Sequence, residues 1–345
     1  MAVSRPETRN RKSEVRSQNG ARWGGGAVLP AFAALLGIAC SGGIPGKTLG
    51  PLREVTVVSE YWELVDSTLT HLLQRPVPTP QPEPEYRIRT GRPDRFDTYS
   101  RFRIVMLVGT TRDSLVRAVL GAEADSLPVG DFGLYKVPNP WLQDQFALIF
   151  VARDPSLLVQ GLRTYAARIR RTLEEIVLEQ MRRAVYFEGT IPAVAESMLA
   201  RYSFALDVPK RWQVREEFAD SGFVYMFVHY PDRSVFVYWV DSTQPLEPEA
   251  LVQQRNRLTG RFYDGDSIDR QFTVVDTVEF LAGPAVRLRG VWRNDRETIG
   301  GPFVTYAFNH QGRFYMVDGL VFNPGKKKLD HLLQVEAVVR SCTPR

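Results

Sequence analysis

The sequence predicts an α+β fold, with an N-terminal α/β half (a mixed sheet and a long helix) followed by a C-terminal antiparallel-sheet half with two packing helices. Three observations carry this. Strand-length apolar runs alternate with 3.6-period segments as far as Gly189. From Phe204 onward, short alternating runs follow one another with turn chemistry between them, interrupted by one helical segment. With 345 residues, 44% of them hydrophobic, the chain can bury one large core or two ordinary ones.

The first stretch to justify is Ala27 to Cys40, an apolar run preceded by basic residues and too short to span a bilayer. It reads as a cleaved export signal. Cys40 directly follows a small residue, as in a lipobox, where the thiol of the new N-terminus takes a diacylglycerol; Gly37 stands where leucine is usual. The expected division is residues 1–39 signal peptide, 40–52 flexible tether, 53–190 N-terminal domain and 191–345 C-terminal domain. A plain signal peptide, a buried apolar segment, or a bridge from Cys40 to Cys342 is the rival reading. The leader holds six Arg/Lys against two Asp/Glu, so four of the five net positive charges leave with it. A mature chain near +1 lacks the basic excess of a nucleic-acid binder.

Within the tether, Gly46-Lys47-Thr48 imitates a phosphate-binding loop, but Ser41 stands where that loop needs glycine and Pro51 follows closely. Glu54 to Ser59 alternates as a strand, and Ser59 caps a helix from Glu60 to Gln74 with Tyr61, Leu64, Val65, Leu69 and Leu72 inward. Proline at every second position from Pro76 to Pro84 makes an extended strap and not a strand. Arg103 to Gly109 and Gln145 to Ala152 are apolar enough for central strands, with a short helix from Asp113 to Leu120 between them. Asp154 and Pro155 open the longest helix, whose apolar repeat runs from Leu158 to Val185, its Arg/Glu face being solvated. Pro192 to Tyr202 is a further helix.

The C-terminal strands are Phe204 to Val208, Trp212 to Glu217, Phe223 to Tyr230 and Ser234 to Val240. After a helix from Pro248 to Phe262 come Phe272 to Leu281, Ala285 to Asn294, Phe303 to Asn309 and Arg313 to Phe322. Asn323 and Pro324 open a last helix packed through Leu329, Leu332, Leu333, Val335 and Val339.

Several motifs stand in a distinctive order: Trp62 after the first strand, Pro76-Val77-Pro78, Pro80-Gln81, Glu83-Pro84, Leu206-Asp207-Val208-Pro209-Lys210, Arg289-Gly290-Val291-Trp292-Arg293, Gly300-Gly301-Pro302-Phe303-Val304 and Pro324-Gly325-Lys326-Lys327-Lys328. In these the chain resembles domain of unknown function family 4837, uncharacterised envelope lipoproteins, over nearly the whole mature length. The resemblance implies a lipid-anchored exported protein and supplies no catalytic residues. The order of strands and terminal helix after Phe204 also resembles PsbP-like sandwiches, which bind partners without catalysis.

The four histidines lack metal-ligand spacing, Asp264, Asp266 and Asp269 fit a helix-to-strand turn better than a calcium loop, and no Gly-x-Ser-x-Gly elbow occurs. No metal and no cofactor are expected. The constellation singled out is the strand Ala285 to Asn294, where Arg287, Arg289 and Arg293 share one face beside the Gly300-Gly301 turn. Guanidinium forks suit bidentate oxyanions, and Lys326 to Lys328 in a first helical turn oppose its dipole, so an anion-reading surface is one reading. The other is that Asp276 or Glu279 on the preceding strand neutralises the row. The expected function is a non-catalytic binding or structural envelope lipoprotein, held to the bilayer by acylated Cys40 with palmitate, on the outer membrane facing the periplasm. Its partner is an unknown, anionic envelope component. An envelope hydrolase with a site assembled from distant residues is the alternative.

Overall fold

The computed structural model describes residues 47–345 apart from residues 126, 128–130 and 282. The leader, Cys40 and the tether up to residue 46 lie outside the described residues. Strand β1 (Glu54–Val58) is buried from its second residue on, and helix α1 (Trp62–Leu73) follows. Ser59 Oγ accepts from the Tyr61 N–H at 3.0 Å, so the helix begins at Trp62, later than the cap position predicts. Its buried stripe is Val65, Leu69, Leu72 and Leu73, while Leu64 is exposed.

The proline strap departs from expectation. β2 (Pro76–Val77) and β3 (Glu83–Pro84) pair antiparallel, so the strap doubles back and forms a short ladder that needs few backbone donors. β4 (Arg87–Gly91), unforeseen, joins β1 in parallel. Next come α2 (Phe96–Tyr99), β5 (Ile104–Thr110), α3 (Ser114–Leu120), β6 (Phe132–Pro138) and β7 (Phe146–Ala152). The sheet order is β4-β1-β5-β7-β6, parallel except for β6, with every residue of central β5 buried.

The single helix expected from Asp154 is divided at Tyr165 into α4 (Leu158–Thr164) and α5 (Ala166–Val185), after a 3-10 turn capped by Asp154. The aromatic rings explain the corner. Tyr165 packs edge-on to Phe132 and Phe150, and a Cβ at Gly161 would lie 2.4 Å from the Phe132 ring.

The second half starts with α6 (Pro192–Tyr202) and β8 (Phe204–Ala205), then β9 (Gln213–Arg215), β10 (Phe223–Val228), β11 (Asp232–Val240) and α7 (Pro248–Phe262). After them come β12 (Ser267–Phe280), β13 (Gly283–Asn294), β14 (Ile299–His310), β15 (Arg313–Phe322), α8 (Leu329–Val339) and β16 (Thr343–Pro344). Seven strands form an antiparallel sheet in the order β12-β13-β14-β15-β11-β10-β9, while β8 pairs with β16. One face of that sheet packs Val304, Tyr306 and Val317 against Leu332, Val335 and Val339 of α8. The other packs Leu288, Phe303 and Met316 against Leu251 and Leu258 of α7. The middle of the sheet is covered on both sides, so a charge there needs a partner within the protein, whereas β12 and β9 keep exposed residues at its edges.

Helix α8 begins at Leu329, not at Asn323, so Lys326 and Lys327 precede it, Lys328 is its N-cap residue, and none of the three stands in its first turn. Its N-terminus is capped from the other half of the chain. Glu83 Oε1, on β3, accepts from the Lys328 and Leu329 N–H groups at 2.6 and 3.1 Å. Arg53, 2% exposed, pairs with Glu83 and Asp330 and donates to the carbonyls of Pro84 and Glu85 at 2.7 and 2.8 Å.

Candidate functional site

The arginine face of β13 turns toward α8 and α5. Arg287 donates through Nε to Asp276 on β12 at 3.0 Å and through Nη1 to Glu174 on α5 at 2.8 Å. Arg289 Nη2 reaches both oxygens of Glu336 on α8, at 2.6 and 2.7 Å, and Glu174 at 3.0 Å. Tyr306 on β14 donates to Glu336 at 2.6 Å and accepts from Arg340 at 3.2 Å. Glu336 is fully buried. Burial opposes its ionisation, but Arg289 and Arg287 outweigh that and hold the carboxyl below its usual range. Burial, reinforced by Glu336, pushes the Tyr306 phenol above its ordinary range.

The row is therefore not an open anion-reading surface. Arg287 and Arg289 are brought together, but they are held by carboxylates of the same chain. Arg293 stands apart, half exposed, with Asp295 at 3.4 Å and Asp269 at 3.9 Å. Gly300 and Gly301 serve packing. Added Cβ atoms would lie 2.6 Å from the Trp292 carbonyl and 1.9 Å from that of Val321, so these positions let strands approach and do not cradle a ligand. Of the two neutralising partners considered, Asp276 is used. Glu174 and Glu336 were missed, and the signal for Glu336 is its place on the apolar stripe of α8, between Leu332 and Val339.

At the same junction a cavity of about 40 Å³ lies between Val77, Tyr86, Glu174, Arg289 and Leu332. That is room for roughly two waters. The Nε of Arg289 is buried there without a protein partner. A second internal pair, Arg255 with Asp318, lies beneath α7 at 2.6 Å, with the guanidinium 4.0 Å from the centre of the Phe303 ring.

Asp264 and Asp266 occupy the turn from α7 into β12, and Asp269 stands within β12 itself, paired with Val291. Asn294 Nδ2 donates to Asp266 at 3.0 Å, and Thr259 donates to the Asp266 carbonyl at 2.6 Å. Burial pushes the Asp266 carboxyl up to about 6, against the hydrogen bond from Asn294. The native state thus keeps a proton that the unfolded chain has already lost, so this residue's contribution to stability falls as pH rises through that window and levels off above it. Between pH 5 and pH 7 the expected loss is about 1 kcal/mol. Urea titrations of wild type and Asp266→Asn check it: the variant's curve is flatter by that amount, and parallel curves would refute the assignment.

Residues 48–186 match the DUF8532 model and residues 192–341 the DUF4837 model, each described as a domain of unknown function. The DUF4837 match thus stops short of Trp62 and the proline strap, which fall within the other model. No curated protein matches the chain. Among solved structures, CyanoP of Synechocystis sp. PCC 6803 is similar at 11% identity over 41% of this chain and 87% of that one, with a TM-score of 0.31. LpqN of Mycobacterium tuberculosis, described as involved in cell envelope biogenesis, has 13% identity over 41% and 83%, with a TM-score of 0.27. A Bacteroides thetaiotaomicron protein has 9% identity over 41% of this chain and only 45% of its own, also at 0.27. The motifs from Leu206 to Lys328 all lie within residues 192–341, the stretch that matches the DUF4837 model.

Proposed function

We propose that this protein is an envelope lipoprotein with a non-catalytic binding or structural role, held to the membrane through Cys40 and facing the periplasm. The observation that supports the non-catalytic reading is the protonation state of the junction. Glu336 is held ionised, Tyr306 protonated and the two arginines charged, so none is poised to exchange a proton near neutral pH as a general acid or base must. These groups fasten α5, α8 and β13 to one another. The support for the anchor is the small-residue and cysteine junction after an apolar run. No described helix is long and apolar enough to cross a membrane.

Labelled palmitate tests the anchor. It is expected in wild type and absent from Cys40→Ser; equal labelling of the two would end the idea. The thiols give an independent check. Cys342 is fully buried, and burial pushes its thiol up to about 12. The folded acylated protein should be inert to a thiol reagent, and the denatured unreduced protein should show one titratable thiol. Finding none would support the bridge from Cys40 to Cys342.

A further inference from the structure

Away from the junction, α1 and the corner between α4 and α5 leave an open groove of about 240 Å³. Its floor is apolar, made of Leu72, Leu162 and Ala166, and its rim is polar, made of Ser67, Thr68, His71 and Arg163. Positions 67 and 68 lie four and three residues before 71, so α1 turns two hydroxyls and an imidazole to the groove, with the Arg163 guanidinium supplied by α4. Among the described residues none of these four side chains is engaged in a hydrogen bond or ion pair. That sets Arg163 apart from Arg53, Arg255, Arg287 and Arg289, each held by a carboxylate. No Asp or Glu lines the groove.

We propose that this groove binds a small phosphate ester, with the phosphate on the rim and its organic group on the leucine floor. A forked guanidinium, two hydroxyls and an imidazole offer more donors than a planar carboxylate has lone-pair directions to use, and they suit the several oxygens of a tetrahedral phosphate. The apolar floor explains why an ester fits better than the free ion. The volume limits the buried part to a small alkyl or aryl group. The same chemistry has two sources, a soluble ester and a phospholipid headgroup.

The test uses the full chain carrying Cys40→Ser, so that acylation contributes nothing, with and without Arg163→Gln. Phenyl phosphate is titrated calorimetrically, and phenol serves as the neutral control. Wild-type Arg163 should bind phenyl phosphate and not phenol, and Arg163→Gln should weaken binding about tenfold or more at an unchanged melting temperature, since the side chain is exposed and unpaired. A parallel arm measures co-sedimentation with phosphatidylglycerol vesicles. Co-sedimentation lost in Arg163→Gln assigns the phosphate to a lipid headgroup. Binding of phenyl phosphate without co-sedimentation assigns it to a soluble ester. Engagement of neither probe, or equal engagement by the Arg163→Gln chain, overturns the proposal.

Discussion

Glu336→Ala should destabilise the protein by about 3–5 kcal/mol, because it leaves the Arg289 guanidinium and the Tyr306 hydroxyl facing a buried gap with their principal partner gone. Urea denaturation measures it, and a loss below about 1 kcal/mol would show that the junction contributes little. The double variant Arg289→Met with Glu336→Leu separates the charge from the packing. Replacing both ions with apolar groups of similar size should recover most of the loss, since the large cost belongs to a stranded charge and not to the absence of the pair. The folded carboxyl of Glu336 titrates below its unfolded value, so its contribution is present above the unfolded carboxylate range and is lost as pH falls through the folded one. This is opposite in sign to Asp266.

The second large effect is expected at Glu83. Glu83→Ala removes the acceptor for two N–H groups at the start of α8 and one of the two carboxylates that neutralise Arg53. About 3 kcal/mol is expected, of which roughly 1 kcal/mol is the cap. Glu83→Gln keeps an acceptor and loses the charge, so it should fall between wild type and alanine. Hydrogen exchange adds a local readout: the first turn of α8 should lose protection in Glu83→Ala more than the rest of the chain does. Uniform loss would place the defect elsewhere.

Elements whose neighbours are close in sequence were legible. Helix α7 and strand β15 have the bounds their patterns predict, α7 because a proline opens it and an apolar repeat fills it. Strand β4 was invisible because Arg-Ile-Arg-Thr-Gly on a sheet edge carries too little apolar alternation to register. The corner at Tyr165 was hidden for the opposite reason. The apolar repeat continues through it from Leu162 to Ile169, so periodicity alone joins two helices that the aromatic packing divides. The arginines of β13 were visible as a row, and Asp276, a near neighbour across one hairpin, as a partner. Glu174 and Glu336 were not, because they lie 113 and 47 residues away from Arg287 and Arg289 respectively, and Glu174 had been placed among solvated charges. What faces a sheet depends on the layer above it, and that layer here comes partly from the other half of the chain.

The ties that Arg53 and Glu83 make to α8 also set an order of events during synthesis. Arg53 and Asp330 stand 277 residues apart, and Glu83 and Lys328 stand 245 apart. A growing chain makes the first partner of each pair long before the second. Until Leu329 to Val339 is free, the guanidinium of Arg53 lacks one of its carboxylates, Glu83 lacks the amides it caps, and the arginine face of β13 lacks Glu336. Contacts of such long range close slowly because the intervening loop must be gathered first. The early half must wait, incomplete, for α8 to arrive.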